Sequence, residues 1–336
     1  MSQKSTSKGY AAVRDGGAGL LDLSSRGRML LSGTEVVTFL NGLITNDMKT
    51  LAVNSWMPAA FPNVQGRLLA GVRVIHRDDG FLIDTESATR ETVLKLLERF
   101  TLAGDFRVED VTDATAMLSV QGQKAVGGLN AVLGDEMAQV ERHSVATAQL
   151  SDGERVDIIR ATHTGEDGFD LLIASDAVEK VRDLLIEAGA ESVDPEALET
   201  LRIEAGIARY GADMDETNVV TETNLDDAVS FSKGCYIGQE IIARIKYRGH
   251  VAKKLTGIIA DGELALESGA KIFAVDEKEI GRVTSFTFSP QLQRTIAMAY
   301  LKYDYLAPGT PVKIRSSDED YPAVVAELPF IRGSWY

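Results

Sequence analysis

The spacing of apolar residues changes partway along this chain, and that change limits the fold more than any other feature. Beyond Val251, apolar and polar residues alternate in six short segments that are separated by Gly, Pro and Asp clusters. The segments are LTGIIA, AKIFAV, EIGRVTSFTF, TIAMAYL, TPVKIR and AVVAEL. Alternation of this kind is typical of half-buried strands. Six short strands predict a small β-barrel or sandwich as a C-terminal domain over residues 251–336.

The preceding part of the chain contains a strand–turn–strand unit followed by a helix, and this unit occurs twice. The first copy runs through GRLLAGVRVIHRDDGFLIDTES, with a turn at Asp78-Asp79-Gly80, and continues into ATRETVLKLLERFTLAG. The second copy runs through VDIIRATHTGEDGFDLLIAS and SDAVEKVRDLLIEAG, and Gly168-Phe169 repeats the earlier Gly80-Phe81. We therefore predict two related α+β lobes, residues 1–110 and 111–250. Duplication and chance are both open as the origin of the likeness.

Capping residues mark two helix starts. Ser32 and Glu35 have the spacing of a capping box before a short helix that ends near Leu43. Asp194-Pro195 combines a capping aspartate with proline at the first helical position, and Glu204 follows near the end of that helix. A carboxylate at a helix C-terminus opposes the helix dipole. It could bind a heterocycle through adjacent N–H donors, or it could simply be solvated.

Composition and charge narrow the classes of partner. The chain carries 35 Lys and Arg against 50 Asp and Glu, a formal net charge of −15, so an anionic partner would need a local basic patch.

A single cysteine excludes an intrachain disulfide, and the four histidines show no metal-ligand spacing, so no metal site is predicted. The polar N-terminus and the lack of about 20 consecutive apolar residues predict no secretory signal and no membrane contact. We therefore expect a cytoplasmic protein, or a mitochondrial-matrix protein in a eukaryote.

The single cysteine, Cys235, lies in the run KGCYIGQE, which leads into the acid-free stretch ARIKYRGHVAKK. That stretch carries the basic residues Arg244, Lys246, Arg248, Lys253 and Lys254. If A-R-I-K-Y-R is a strand, its basic side chains share one face that could hold a carboxylate or a phosphate; the alternative is a solvated edge strand. Nearby cations favour a thiolate, which predicts a functional thiol, whereas a lone cysteine is otherwise most often a small buried hydrophobe.

The cysteine run resembles a family signature, and the resemblance extends over nearly the whole chain. KGCYIGQE is similar to the K-G-C-[YF]-x-G-Q-E signature of the YgfZ family, folate-binding proteins related to the aminomethyltransferase (T-protein) of glycine cleavage. FLNGLITND resembles the family's N-terminal motif, with Asn41 where glutamine is usual, and RIEAGIARYGADMDE resembles R-x-E-A-G-x-x-x-Y-G-x-D. IGRVTSFTFSP and the late LPF match the β-domain pattern of the family.

The resemblance implies an α+β fold with two lobes and a C-terminal β-barrel around a central opening that binds tetrahydrofolate. By motif position, Glu204 would contact the pterin ring, while Asn46, Asp47 and Tyr210 would belong to the folate site. Cys235 would be the functional thiol. Its motif also contains Lys233, Gly234, Tyr236, Gly238, Gln239 and Glu240.

The YgfZ relatives are linked to the assembly or repair of iron–sulfur enzymes and, through such enzymes, to tRNA modification. The resemblance therefore implies iron–sulfur assembly machinery or client enzymes as partners. A single cysteine cannot supply the four thiolates of an ordinary cluster, so a cluster would need ligands from elsewhere.

One departure from the related aminomethyltransferases bears on the reaction. Those enzymes carry a segment that resembles N-x-x-G-G-x-x-D-D. The aligned run of this chain begins at Asn63 and has Ala70 and Gly71 in place of the two aspartates. A missing carboxylate cannot accept a proton from a reacting amine, and such groups contribute about 10²–10⁴-fold. The alternatives to an iron–sulfur role are a tetrahydrofolate-dependent aminomethyltransferase or demethylase, and a non-catalytic folate sensor or adaptor with weak RNA contact. Whether the protein is an enzyme is left open at this point.

Overall fold

The computed structural model describes residues 7–134, 137–317 and 319–336. Within them the helices are α1 (Lys8–Arg14), α2 (Val36–Leu43), α3 (Arg90–Glu98), α4 (Ala125–Leu133), α5 (Val178–Glu187), α6 (Pro195–Glu204) and α7 (Gln239–Arg248). The strands are β1 (Gly19–Asp22), β2 (Gly27–Ser32), β3 (Ser55–Pro62), β4 (Leu68–Arg77), β5 (Gly80–Thr85), β6 (Arg107–Asp110), β7 (Thr115–Gln121), β8 (Val145–Gln149), β9 (Arg155–Arg160), β10 (Gly168–Ala174), β11 (Glu191–Ser192), β12 (Lys253–Asp261), β13 (Lys271–Phe273), β14 (Glu279–Ser289), β15 (Arg294–Lys302), β16 (Pro311–Ser316) and β17 (Glu319–Ala326). They form two α+β lobes and a closed β-barrel, which confirms the predicted fold class.

The first lobe is a five-stranded sheet in the order β3-β4-β5-β2-β6, with α2 and α3 packed on its buried face. The predicted hairpin is present as β4 and β5, in which Arg77 pairs with Gly80. Glycine is needed at this turn because Gly80 has a φ of +142°, and a Cβ there would lie 2.8 Å from the Leu31 carbonyl oxygen.

The predicted capping box at the start of α2 is wrong. Ser32 is the last residue of β2 and pairs with Arg107 of β6, so its backbone belongs to the sheet. Glu35 occupies the N-cap without a side-chain bond. Asp105 holds the preceding turn instead, because its carboxylate accepts a hydrogen bond from the Thr34 backbone N–H at 2.9 Å. The helix ends at Leu43, as predicted.

The second lobe is a six-stranded sheet in the order β11-β1-β7-β10-β9-β8. It contains the second predicted hairpin, β9 and β10, followed by α5. The sheet also contains β1, which pairs with β7 and β11, so residues 19–22 do not lie in the first lobe as the division at residue 110 implied. The reason is burial on both faces: Leu20 packs in the core of the second lobe, and Leu21 packs between the lobes.

The two lobes meet through the opposite faces of their sheets. Apolar side chains from both lobes form one cluster there, including Leu21, Ile75, Leu82, Met117 and Leu172. Burial of aliphatic side chains in such a contact contributes about 25 cal/mol per Å² of apolar surface removed from water. This contact fixes how the ends of β4 and β10 are placed relative to each other.

The six predicted C-terminal strands are all present and close into a barrel in the order β12-β15-β14-β13-β16-β17. The barrel begins at Lys253, close to the predicted boundary at 251. Its interior is filled by alternate residues such as Ile258, Ile272, Val283 and Ile314. No helix within the described ranges is long and apolar enough to cross a membrane.

The segment before the barrel differs from the prediction. Residues 243–248 belong to helix α7 and not to a strand. Gly238, with a φ of +79°, turns the chain into this helix. Helical spacing then places Ile242 inward, where it is wholly buried, while Tyr247 is 68% exposed. A strand would have required Ile245 and Tyr247 to share one buried face.

Candidate functional site

Three aromatic residues meet where both lobes and the C-terminal tail come together. The Trp56 and His143 rings lie 4.6 Å apart, and the His143 and Trp335 rings lie 5.6 Å apart. Backbone bonds fix this aromatic cluster, because Trp56 N donates to the His143 carbonyl at 2.8 Å and Trp335 N donates to the Gly165 carbonyl at 3.1 Å. Burial lowers the pKa of His143, which keeps its imidazole neutral between the two indoles.

A cleft of about 450 Å³ lies between the segment after α6 and the barrel, and Tyr336, the residue that follows Trp335, is part of its lining. We call it the linker–barrel cleft; its lining includes Ala205, Gly206, Asn224, Asp226, Lys254 and Tyr336. The volume falls in the range of small-molecule sites. An aromatic ring, a carboxylate and an ammonium group line the same space, and a pterin with a carboxylate tail needs these groups. These group types would suit a folate, but Lys254 is paired with Asp226 at 3.1 Å, so a ligand would have to exchange that ion pair.

The motif residue Lys233 is buried against the end of α2. Its ammonium group donates to the Ile44 carbonyl at 2.9 Å and to the Asn46 carbonyl at 2.5 Å. Burial lowers the pKa of Lys233 to about 8, and the nearby Asp47 opposes this shift. The Asn46 amide in turn donates to the Asp227 carbonyl at 3.1 Å. The structure thus brings the predicted Asn46, Asp47 and Lys233 together.

The rest of the motif fastens the chain to the first lobe and leaves the thiol in solvent. Ile237 N donates to the Gly42 carbonyl at 3.1 Å. Gly238 packs so closely that a Cβ there would lie 2.4 Å from the Asn63 carbonyl oxygen. Cys235 is exposed, so the alternative of a small buried hydrophobe is wrong. Gly234 and Glu240 are also exposed, and Gln239 is half-buried.

Tyr236 and Tyr210 lie in one apolar cluster that also contains Met214 and Leu225. Burial raises the pKa of Tyr236 to about 12. Burial and the nearby Glu216 raise the pKa of Tyr210. Both phenols are therefore neutral at physiological pH, and the Lys233 ammonium lies 5.0 Å from the centre of the Tyr236 ring.

Glu204 lies apart from the motif, at the centre of a buried network. It is 0% exposed and accepts hydrogen bonds from the Tyr10 hydroxyl at 2.7 Å, the Ser289 hydroxyl at 2.6 Å and Arg14 Nε at 2.9 Å. Arg14 also bonds Glu166 at 3.0 Å. The contact of Glu204 with a pterin ring stays a prediction, and it would require a ligand to replace one of these partners.

The basic residues do not form the predicted single strand face, because α7 and β12 divide them. Lys246 lies 5.1 Å from the Phe231 ring, and Lys253 lies 4.9 Å from the Tyr300 ring. Lys254 pairs with Asp226 at 3.1 Å in the linker–barrel cleft. Arg244 is exposed on α7, and the side chain of Arg248 lies outside the described part of the chain.

In the motif alignment above, Gly71 occupies the position of the last aspartate in the motif of the related aminomethyltransferases. A Cβ at Gly71 would meet only Leu225 at 3.7 Å and Met214 at 3.9 Å. The neighbouring Ala70 is wholly buried in the core of the first lobe. Across the described ranges, no group of three or more His, Cys, Asp and Glu side chains is arranged to hold a metal ion.

A buried chain of charges next to Gly71 was not predicted. Arg73 donates to Asp84 at 2.6 Å and to Asp170 at 2.6 Å, and His163 Nε2 lies 3.0 Å from each Asp170 oxygen. The residues come from β4, β5, β10 and the loop after β9. Their separation in the sequence, 97 positions between Arg73 and Asp170, left no local pattern to find.

Comparisons with known proteins agree with the architecture. Residues 2–233 match the family model of the GCVT N-terminal domain, and residues 253–331 match that of the glycine cleavage T-protein C-terminal barrel domain. An aminomethyltransferase of Rubrobacter xylanophilus is 32% identical over 316 residues, covering 94% of this chain and 83% of the relative. One from Picosynechococcus sp. is 30% identical over 320 residues, covering 94% and 87%. The crystal structure of glycine cleavage system aminomethyltransferase T from Bartonella henselae shares the fold, with a TM-score of 0.88 at 22% identity over 97% of this chain and 89% of that one.

Proposed function

Because the chain belongs to the glycine-cleavage T-protein family, which uses tetrahydrofolate, we propose that it binds tetrahydrofolate and supports the assembly or repair of iron–sulfur enzymes through Cys235. Folate would occupy the linker–barrel cleft, which Ala205 lines directly after Glu204. Through its client enzymes the protein would also affect tRNA modification. The observation that carries the proposal is the exposed thiol of Cys235 on a motif that Lys233 and Gly238 fasten to the first lobe.

Two features of the site support a role for the thiol over T-protein chemistry. Gly71 supplies no carboxylate on β4, and its surroundings, Leu225 and Met214, are apolar. A group that accepts a proton from a reacting amine contributes about 10²–10⁴-fold, so its loss removes much of the transferase rate. In the motif, by contrast, the buried ammonium group of Lys233 and the left-handed Gly238 hold the segment that carries the exposed Cys235. A solvent-accessible thiol can exchange with a persulfide or a mixed disulfide.

A tetrahydrofolate-dependent aminomethyltransferase or demethylase is the second candidate. It is favoured by the relatives of 30% and 32% identity, which are both named aminomethyltransferase. Transfer of an aminomethyl group needs no thiol, so this candidate predicts that Cys235 is dispensable. An RNA-binding adaptor is less well supported. Its basic residues are divided between α7 and β12, whereas a nucleic-acid groove requires positive charges along one continuous surface.

The two candidates are separated by one complementation experiment with a matched control. A deletion strain would receive the wild type, Cys235→Ser or Ser232→Ala, and the activities of several iron–sulfur enzymes would be measured. Ser232 is exposed three positions earlier and provides the control for a change on the same segment. We expect Cys235→Ser to lose function and Ser232→Ala to keep it.

Purified protein gives the second arm of the test. Isothermal titration calorimetry should detect tetrahydrofolate binding to the wild type and to Cys235→Ser with equal affinity, since the thiol is not needed to hold folate. Full complementation by Cys235→Ser, together with measurable production of methylenetetrahydrofolate from an aminomethyl donor, would instead establish the transferase. Absence of folate binding in the wild type would refute both candidates.

A further inference from the structure

The segment that carries Cys235 runs alongside helix α7. Near the end of the helix, the Phe231 ring lies 6.2 Å from the Tyr247 ring. At the start of the helix, Gln239 N donates to the Tyr236 carbonyl at 3.2 Å. The segment and the helix are therefore antiparallel, and the exposed Cys235 lies beside α7 near its N-terminal end. The ten residues of α7 span about 15 Å.

Apolar side chains are exposed on both sides of this cysteine. Val64 is 73% exposed in a loop that packs against the start of α7, where a Cβ on Gly66 would lie 3.2 Å from Ile242. Ile237 is exposed just before the helix, and Tyr247 is exposed near its end. A single exposed apolar residue is ordinary, whereas several around one short segment are typical of a contact with another protein.

Cations without a carboxylate partner accompany these apolar side chains. Arg244 and Lys246 are exposed on α7, and Arg67 is exposed at the end of the adjoining loop. None of the three forms an ion pair within the described part of this chain, although its net charge is −15. Arg67 bonds only the Thr217 carbonyl, at 2.9 Å. Glu240 lies one turn before Arg244 on the same helix face, and the two are not paired.

This combination of groups fits a protein partner better than RNA. A channel for single-stranded nucleic acid combines cations with several aromatic rings on which bases stack, and Val64 and Ile237 supply neither. Protein interfaces combine apolar side chains with Arg and Tyr. A standard interface buries about 800 Å² on each partner, a patch about 30 Å across, which accommodates the length of α7 and the adjoining loop.

We propose that the surface formed by Cys235, Ile237, Val64, Arg244 and Tyr247 is the docking site of a protein with an acidic patch. The inference rests on the role of Cys235 proposed above. Carboxylates of the partner would pair with Arg244, and with Lys246 and Arg67 at the edges. Its apolar side chains would cover Val64 and Ile237. Local cations are needed for such a partner because the rest of this acidic chain repels it.

Charge reversal on α7 tests whether the surface is needed. The deletion strain would receive the full chain as wild type, Arg244→Glu or Arg99→Glu, and iron–sulfur enzyme activities would be measured at low expression. Arg99 is an exposed arginine at the end of α3 that also forms no ion pair among the described residues, so it provides the matched control. We expect Arg244→Glu to lose most of the activity, because a like charge should weaken partner binding about tenfold or more. Arg99→Glu should match the wild type.

Two measurements on purified protein exclude other causes of that loss. Arg244 is exposed and lies outside the linker–barrel cleft, so the thermal midpoint and the tetrahydrofolate affinity of Arg244→Glu should equal those of the wild type. Full complementation by Arg244→Glu would overturn the inference. If Cys235→Ser loses function in the same strain, the proposed function survives that failure; if Cys235→Ser also complements fully, the proposed function fails as well.

Photo-crosslinking in cells identifies the class of partner. The full chain would carry p-benzoylphenylalanine in place of Tyr247, and the adducts would be analysed by mass spectrometry. We expect an adduct with an acidic protein whose yield falls about tenfold when Arg244→Glu is added and is unchanged by Arg99→Glu. An adduct with RNA, an adduct with a second copy of this chain, or the absence of any adduct would overturn the inference.

Discussion

Removal of the Glu204 carboxylate should destabilise the protein even without folate. Glu204→Ala would delete the acceptor for two buried hydroxyls, Tyr10 and Ser289, and for the Nε of Arg14. Breaking a buried ion pair by removing one partner costs about 3–5 kcal/mol. Arg14 keeps its bond to Glu166 at 3.0 Å, so we expect the lower half of that range. An unfolding entropy of about 2.1 cal/mol/K per residue over 336 residues gives about 1.4 °C per kcal/mol, so the thermal midpoint should fall by about 4–6 °C.

Thermal unfolding of the folate-free protein, followed by circular dichroism, measures this effect. The control is Glu187→Ala, which removes an exposed carboxylate from α5 and should leave the midpoint within about 1–2 °C of the wild type. A Glu204→Ala midpoint equal to that of the wild type would refute the reasoning, because it would mean that the network around Glu204 contributes no stability. The carboxylate would then be free to serve a ligand alone.

Two further variants test the motif. Gly238→Ala should lose about 1–3 kcal/mol of stability in urea unfolding, because Gly238 has a φ of +79° and an added Cβ would lie 2.4 Å from the Asn63 carbonyl oxygen. Gly249→Ala is the matched control, because Gly249 has a φ of −170° and an added Cβ would have no neighbouring atom within 4 Å. Equal losses of stability in the two variants would contradict this account. Burial lowers the pKa of Lys233 to about 8, against about 10.4 in an unfolded chain. The unfolded state therefore binds more protons between those two pH values, and the stability of the wild type relative to Lys233→Met should rise as the pH increases through this window. A difference in thermal midpoint that does not vary with pH would show that Lys233 titrates normally.

Much of the architecture followed from local patterns. The six C-terminal strands alternate apolar and polar residues, and the barrel needs only that alternation and the turns between strands. The Asp78-Asp79-Gly80 turn and the Asp194-Pro195 helix start are equally local, and both are present. Local patterns failed where tertiary contacts decided the backbone.

The failures have identifiable causes. The alternating charges of residues 243–248 favour a strand, but Gly238 turns the chain into α7, and Ile242 of this helix packs against the loop at Gly66. Ser32 was read as a helix cap, but pairing with β6 already occupies it. Strand β1 lies in the second lobe, where Leu20 packs in the core and Leu21 packs between the lobes, and no property of four residues could indicate this.

The sequence by itself determined the fold class and identified Cys235 and its motif, because these depend on residue types at short spacing. Only the tertiary structure decided that the Cys235 thiol is exposed, that Glu204 is enclosed by Tyr10, Arg14 and Ser289, and that His163 and Asp170 form a pair beside Arg73. The physical reason is the range of the interactions. Periodicity and capping act over a few residues, whereas burial and ion pairing join groups that are distant in the chain, and their energies exist only once the lobes have packed.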